Sequence, residues 1–97
     1  MSSLLNGGKM FLHLRPGEVS DEMFYSLIDL SSIRSEKVVN ALRDHFVESK
    51  RRVDVCSKYN VNPGYLSIKI KELQGINSKA INYYQHYNQK MGVTKIS

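Results

Sequence analysis

Between Arg51 and Leu73 the chain reads RRVDVCSKYNVNPGYLSIKIKEL. Asn60-Val61-Asn62 makes a tight turn, because asparagine tolerates backbone angles that most residues avoid. Asn62-Pro63 then starts a helix, with asparagine as its N-cap and proline at the first helical position, where the missing N–H costs nothing. Before the turn, Val55 and Tyr59 share one face of a short helix over 51–59. After it, Leu66, Ile70 and Leu73 form a buried stripe at helical spacing. A short helix, a three-residue turn and a second helix are the layout of a helix-turn-helix. That unit needs a small side chain where its helices cross, and Cys56 supplies one, four residues before Asn60. Val55, Tyr59, Val61 and Leu66 are apolar where the two helices lock together. Lys69 falls where a buried aliphatic is preferred, and Ile70 beside it takes that place. An αα-hairpin with no nucleic-acid role has similar spacing, so the charge around the unit has to be weighed as well.

The charge is uneven. Residues 1–33 carry a net charge of −2, whereas residues 34–97 hold 12 bases and 5 acids. A basic two-thirds behind an acidic one-third suits an anionic partner for the later part. Lys50, Arg51, Arg52 and Lys58 lie at or in the first helix of the unit and are the candidate phosphate or minor-groove contacts. Lys69 and Lys71 extend this footprint. With the inner stripe pointing inward, the second helix turns Gly64, Ile68 and Lys71 outward, flanked by Tyr65 and Ser67, with Asn62 at its start. No Arg, Asn or Gln sits in the middle of that face to bond guanine or adenine bidentately. Direct base reading is therefore weak, and specificity falls to DNA shape, such as a narrow A·T minor groove. About five neutralised phosphates give a log–log salt slope near −4 to −5.

The rest of the chain reads as helices too. Residues 1–18 read as a flexible arm, with Phe11, Leu12 and Leu14 as a short apolar patch able to pack as an extended segment and Arg15-Pro16-Gly17-Glu18 as a turn. Ser20-Asp21-Glu22 starts a helix carrying Met23, Phe24, Leu27 and Ile28, and Ser31-Ser32 ends it. A second helix begins near Ser35, with Val38, Leu42 and Phe46 inside. Gly75 is expected to end the helix that starts at Pro63. A last helix over 76–90 follows, and residues 92–97 read as frayed. The expected fold is all-α, a bundle of about five helices with the helix-turn-helix domain over 19–91. Tyr83 and Tyr84 on the last helix pack on the body or across a dimer.

Several function classes drop out. A chain of 97 residues is too short for a Rossmann or barrel enzyme. One cysteine makes neither an internal disulfide nor a Cys-rich zinc site. His13, His45 and His86 lack metal-ligand spacing, and His45 sits beside the apolar stripe of the second helix. Asp44 and Glu48 share a helix face and read as solvated. No long apolar run suggests a membrane span or a signal peptide. No catalytic set, cofactor or metal is expected, and the chain reads as cytoplasmic.

Two blocks resemble a known family. Leu27-Ile28-Asp29-Leu30-Ser31-Ser32-Ile33-Arg34-Ser35-Glu36-Lys37-Val38 is similar to its "LLIxISSIxSxRV" block, and Arg52–Ser67 to its "RKEVCEKYxMNxGYFS" block. The family is the PapB/FaeB-type regulators of adhesin (fimbrial) biosynthesis in enteric bacteria, and the resemblance covers roughly 10–88. It implies a transcription regulator of a fimbrial operon, often in phase variation, that binds T/A-rich repeats of double-stranded DNA as an oligomer, with minor-groove contacts. It implies that Arg52 and Cys56 matter for DNA binding and Leu73 for self-association. Pro63 stands where the family has a polar residue, and Ile68-Lys69-Ile70-Lys71 is more basic than the family pattern. The competing reading is a helical protein-interaction adaptor that binds an acidic partner and no DNA.

Overall fold

The computed structural model describes residues 13–96, with side chains over 13–86. The expectations for Phe11, Leu12, the earlier part of the arm and the side chains of the chain's end lie outside these residues. Four helices follow one another: α1 (Asp21–Leu30), α2 (Glu36–Phe46), α3 (Arg52–Tyr59) and α4 (Pro63–Ile96). No strand occurs among the described residues. No helix among them is long and apolar enough to cross a membrane.

Local chemistry sets the boundaries. The Ser20 hydroxyl accepts a hydrogen bond from the Met23 N–H at 3.1 Å, and Asp21 and Glu22 place negative charge at the positive end of α1. The helix buries Phe24, Leu27 and Ile28. It stops where Ser31 turns back on it: the Ser31 hydroxyl donates to the Ile28 carbonyl at 2.7 Å and accepts from the Ile33 N–H at 3.1 Å. A serine with these partners offers the backbone an alternative to another helical turn. Helix α2 turns Val38, Ala41, Leu42 and Phe46 into the core, and the Gly17 N–H donates to the Phe46 carbonyl at its end. Gly17 has φ +83°, and a Cβ there would meet the Ser49 Cβ at 3.0 Å. That turn therefore requires glycine.

The core runs from Leu14 and Val19 through α1 and α2 to Val55, Val61, Leu66, Ile70 and Leu73. Residues 13–18 fall in the expected arm, yet Leu14 is buried and clamped. Gln74 accepts from the Leu14 N–H through Oε1 at 2.6 Å and donates from Nε2 to the Leu14 carbonyl at 3.1 Å. A side-chain amide that satisfies both backbone groups of one residue fixes an extended segment as a β-partner would.

Two expected helices are one. Gly75 does not end α4, which continues to Ile96. Gly75 lacks the left-handed backbone that a glycine stop requires, since the positive-φ glycine among the described residues is Gly17. The buried stripe explains the continuation. Leu66, Ile70 and Leu73 are followed in register by Asn77 and Ile81, both buried. Burying Ile81 alone is worth about 1.5–3 kcal/mol, against about 1 kcal/mol for glycine inside a helix. Nothing lies within 4 Å of a Cβ built at Gly75. Gly75→Ala should therefore stabilise the fold by about 0.5–1 kcal/mol, read as a raised urea midpoint at unchanged slope. A lowered midpoint would mean that glycine serves a bend there.

Candidate nucleic-acid interface

Helix α3, the turn and the start of α4 form a compact two-helix unit. Val55, Val61, Leu66 and Ile70 are buried between the helices and the body, and Cys56 is buried among them. Ile70 takes the inner position beside Lys69, as the sequence pattern expects. Asn60 caps α3 in the left-handed region, φ 55° and ψ 52°, and the Val61 N–H returns to the Cys56 carbonyl at 3.0 Å. Asn62 Oδ1 accepts from the N–H groups of Gly64 at 2.8 Å and Tyr65 at 3.1 Å. Pro63 has no N–H, and the Leu66 N–H bonds the Asn62 carbonyl. The first turn of α4 therefore has its amide donors engaged within the chain, and any grip on an anion falls to side chains.

Asp44 holds the unit to α2. Its Oδ2 accepts from the Tyr59 hydroxyl at 2.8 Å and pairs with Lys58 at 3.4 Å, while its carbonyl accepts from the Lys50 N–H. Its side chain is 14% exposed, so the expectation of a solvated face is corrected for Asp44. A helical plot places Asp44 with Glu48; it cannot show that Tyr59, distant in sequence, folds over it. His45 makes a second tie. It is buried, and its Nδ1 lies 2.9 Å from the Lys50 carbonyl. A carbonyl only accepts, so Nδ1 carries the proton of this bond. Burial holds the His45 imidazole below its ordinary value of 6.5, opposed by the bond to Lys50 and reinforced by repulsion from Arg52.

That shift has a sign. The folded state binds a proton at His45 less readily than the unfolded chain, so stability is full above about 6.5 and falls as pH drops through that value. Thermal unfolding midpoints should decline from about pH 6.5 toward 5, above the range in which ordinary carboxylates titrate. The decline should be flatter in His45→Asn. Equal declines in both proteins would show that another group is responsible.

The cations differ in availability. Arg51 bonds Asp54 at 3.0 and 3.2 Å, but this pair is open to water, with Arg51 77% exposed. Its guanidinium stays charged at any working pH, since the Asp54 carboxylate raises its pKa further. Lys58 shares Asp44 and lies over the Tyr59 ring at 5.1 Å. Lys50, Arg52 and Lys71 are exposed and make no ion pair among the described residues. Arg52 instead meets the Ser67 hydroxyl, 3.5 Å away across the unit.

Lys69 departs from the expected footprint. Its side chain is only 17% exposed, bonds Glu72 at 3.4 Å and lies 5.2 Å from the Tyr65 ring centroid. Glu72 in turn accepts from the Ser32 N–H and hydroxyl at 2.7 and 2.9 Å. Lys69 thus neutralises the carboxylate that ties the α1–α2 connection to α4. Gly64, Tyr65, Ile68 and Lys71 face outward as expected, and Ser67 is half-buried. Cys56 is buried in the packing of α3 on α4 and does not itself present a side chain at this surface.

Leu73 is corrected as well. Its side chain is 0% exposed and belongs to the chain's own core, so it offers nothing to a second copy. Tyr83 and Tyr84 are exposed on α4. Asp44, Glu72 and Gln74 join elements far apart in the chain, and only their polar character at the edge of an apolar stripe hints at these bonds.

This arrangement of a basic, outward-facing two-helix unit on a small helical body has clear counterparts. Residues 7–87 match the family model described as PapB, adhesin biosynthesis transcription regulatory protein. The chain belongs to the PapB family. The regulatory protein FanB of Escherichia coli is 54% identical over 69 residues, which covers 71% of this chain and 70% of FanB. PapB, the regulatory protein of the major pilus subunit operon of Escherichia coli, is 33% identical over 90 residues, covering 88% of this chain and 86% of PapB. The crystal structure of Escherichia coli FocB superposes with a TM-score of 0.72 at 34% identity, over 89% of this chain and 93% of FocB. PapB-family members are adhesin operon regulators, so the chain is a transcription regulator and not an enzyme.

Proposed function

We propose that this regulator binds A·T-rich repeats in the control region of a fimbrial or adhesin operon, as an oligomer, in the cytoplasm on the nucleoid. The observation that carries the reading is the surface of the two-helix unit. Arg52 and Lys71 are exposed there with no ion pair among the described residues, and Lys50 is exposed near Asp54 without bonding it. Arg51 holds Asp54 at the solvent edge, and Lys58 is exposed although its partner Asp44 is largely buried. An exposed ion pair is worth little, so a phosphate draws Arg51 from Asp54 at small cost, while Lys58 can turn its exposed ammonium outward and leave Asp44 bonded by Tyr59. Five side chains are then available: Lys50, Arg51, Arg52, Lys58 and Lys71. Lys69 stays with Glu72.

The outer face of α4 gives the reading its character. Gly64 leaves room for a close approach, and Ile68 offers a methyl surface to thymine. Asn62 spends its amide oxygen on the cap, and Tyr65 and Ser67 supply hydroxyls at the rim. Backbone contacts and groove shape outweigh base-edge bonds in such a set, which favours A·T-rich duplexes. Residues 19–91 act as the binding domain. Tyr83 and Tyr84, on the part of α4 beyond Ile81, are the surface through which copies associate on adjacent repeats.

DNase I footprinting over a fimbrial regulatory region tests this as protein is titrated in. Protection should begin at an A·T-rich repeat and spread to its neighbours over a narrow concentration range. Protection indifferent to A·T content would remove the shape-reading claim. Absence of protection, with capture of an acidic protein instead, would favour the adaptor.

A further inference from the structure

A groove of about 520 Å³ opens between α3 and the start of α4. Its size falls in the range of small-molecule sites, about 300–1,000 Å³. The walls are apolar: Val53, Val61 and Pro63, with the buried Cys56 between them. Val53 is among the most exposed large apolar side chains of the described fold, although it sits on a helix otherwise studded with polar residues. Among the described residues, no acidic side chain lines the groove. Arg52 and Ser67 lie at its edge, joined by the 3.5 Å contact that is the weak end of hydrogen-bond range. The guanidinium thus presents a planar donor fork at the end of an apolar slot, with no described carboxylate of the chain to fill it.

We propose that this groove binds a small amphipathic monocarboxylate, such as a medium-chain fatty acid anion, with its head on Arg52 and its tail along Val53, Val61 and Pro63. A carboxylate matches a guanidinium in shape and charge, and a single cation at the groove suits a single negative charge. The aliphatic tail covers the exposed Val53. A phosphate would need more donors than the Ser57 and Ser67 hydroxyls add, because neither Lys50 nor Lys71 lines the groove. Because Arg52 is also a proposed DNA contact, the bound anion removes it from the duplex, and the ligand opposes DNA binding. This last consequence rests on the DNA reading; the binding itself does not.

The probe is octanoate, titrated into the full chain and followed by heteronuclear NMR, with 1-octanol as the uncharged counterpart. Saturable shifts at the amides of Val53 and Ser67 are expected. Binding should fall about tenfold for 1-octanol, and similarly for Arg52→Gln and for Val53→Asp. Shifts scattered over the surface, equal binding of 1-octanol, or an Arg52→Gln protein that binds octanoate as well as the parent would overturn the site. In a second arm, octanoate should weaken binding of an A·T-rich duplex beyond the effect of equimolar acetate, which controls for ionic strength. Unchanged duplex affinity at saturating octanoate would overturn the competition. If no duplex binds even without octanoate, the DNA reading fails and with it the competition, while the NMR titration still decides the groove.

Discussion

Arg52→Ala should weaken binding to an A·T-rich duplex about ten- to a hundredfold while leaving the helical signal and the melting transition unchanged. The fold has little to lose at this position. Arg52 is the first residue of α3, exposed, with no ion pair among the described residues and one long bond to Ser67. The complex has more to lose, because a guanidinium already free of carboxylates gives up only water and the long Ser67 bond when it meets a phosphate. Arg51→Ala makes the comparison informative. That side chain leaves Asp54 before it reaches the duplex, so its removal should cost less than the removal of Arg52. Filter binding or fluorescence anisotropy at one fixed salt concentration separates the two. Equal losses would mean that only total charge matters at this surface. Full affinity in Arg52→Ala would remove the assigned contact.

Leu73→Asp should unfold the chain. Leu73 is completely buried within the core that joins α4 to the body. An ionised carboxylate there has no cation to pair with inside the apolar cluster, a penalty of several kcal/mol, comparable with the whole stability of a small domain. Leu73→Ala should be folded but destabilised by about 2–5 kcal/mol, the range for a buried leucine that leaves a cavity. Circular dichroism across a urea titration reads both variants. If Leu73→Asp gives a stable, helical monomer with less self-association, Leu73 belongs at an interface and the core assignment is wrong. The converse pair is Tyr83→Glu with Tyr84→Glu. Both rings are exposed, and on the proposal that copies meet through them the double variant should stay helical and shift the sedimentation profile toward monomer.

The unit that matters most was legible because its chemistry is local. Asn60, Asn62 and Pro63 sit at the turn with fixed conformational preferences, and Val55, Leu66 and Ile70 are placed at helical spacing. Such signals survive folding unchanged: Asn60 adopts the left-handed angles and Asn62 caps α4. The end of α4 was misleading for an equally physical reason. Gly75 resembles a stop when only its neighbours are considered, yet the stripe through Asn77 and Ile81 continues to find the body beneath it. Tertiary burial overrode a local preference. The state of each cation was not legible at all. Lys69 and Lys71 are two residues apart, and only the fold shows that one is held by Glu72 and the other is exposed. The same holds for Leu73, whose hydrophobicity suits a core and an interface equally until the packing is seen.

Whether this surface holds DNA is decided by the salt dependence of duplex binding. Lys50, Arg51, Arg52, Lys58 and Lys71 together should release counterions so that log K falls against log salt with a slope of about −4.5, and Arg52→Ala should reduce its magnitude by about 1. A slope near zero, or one that Arg52→Ala leaves untouched, would contradict the assignment of this surface to DNA.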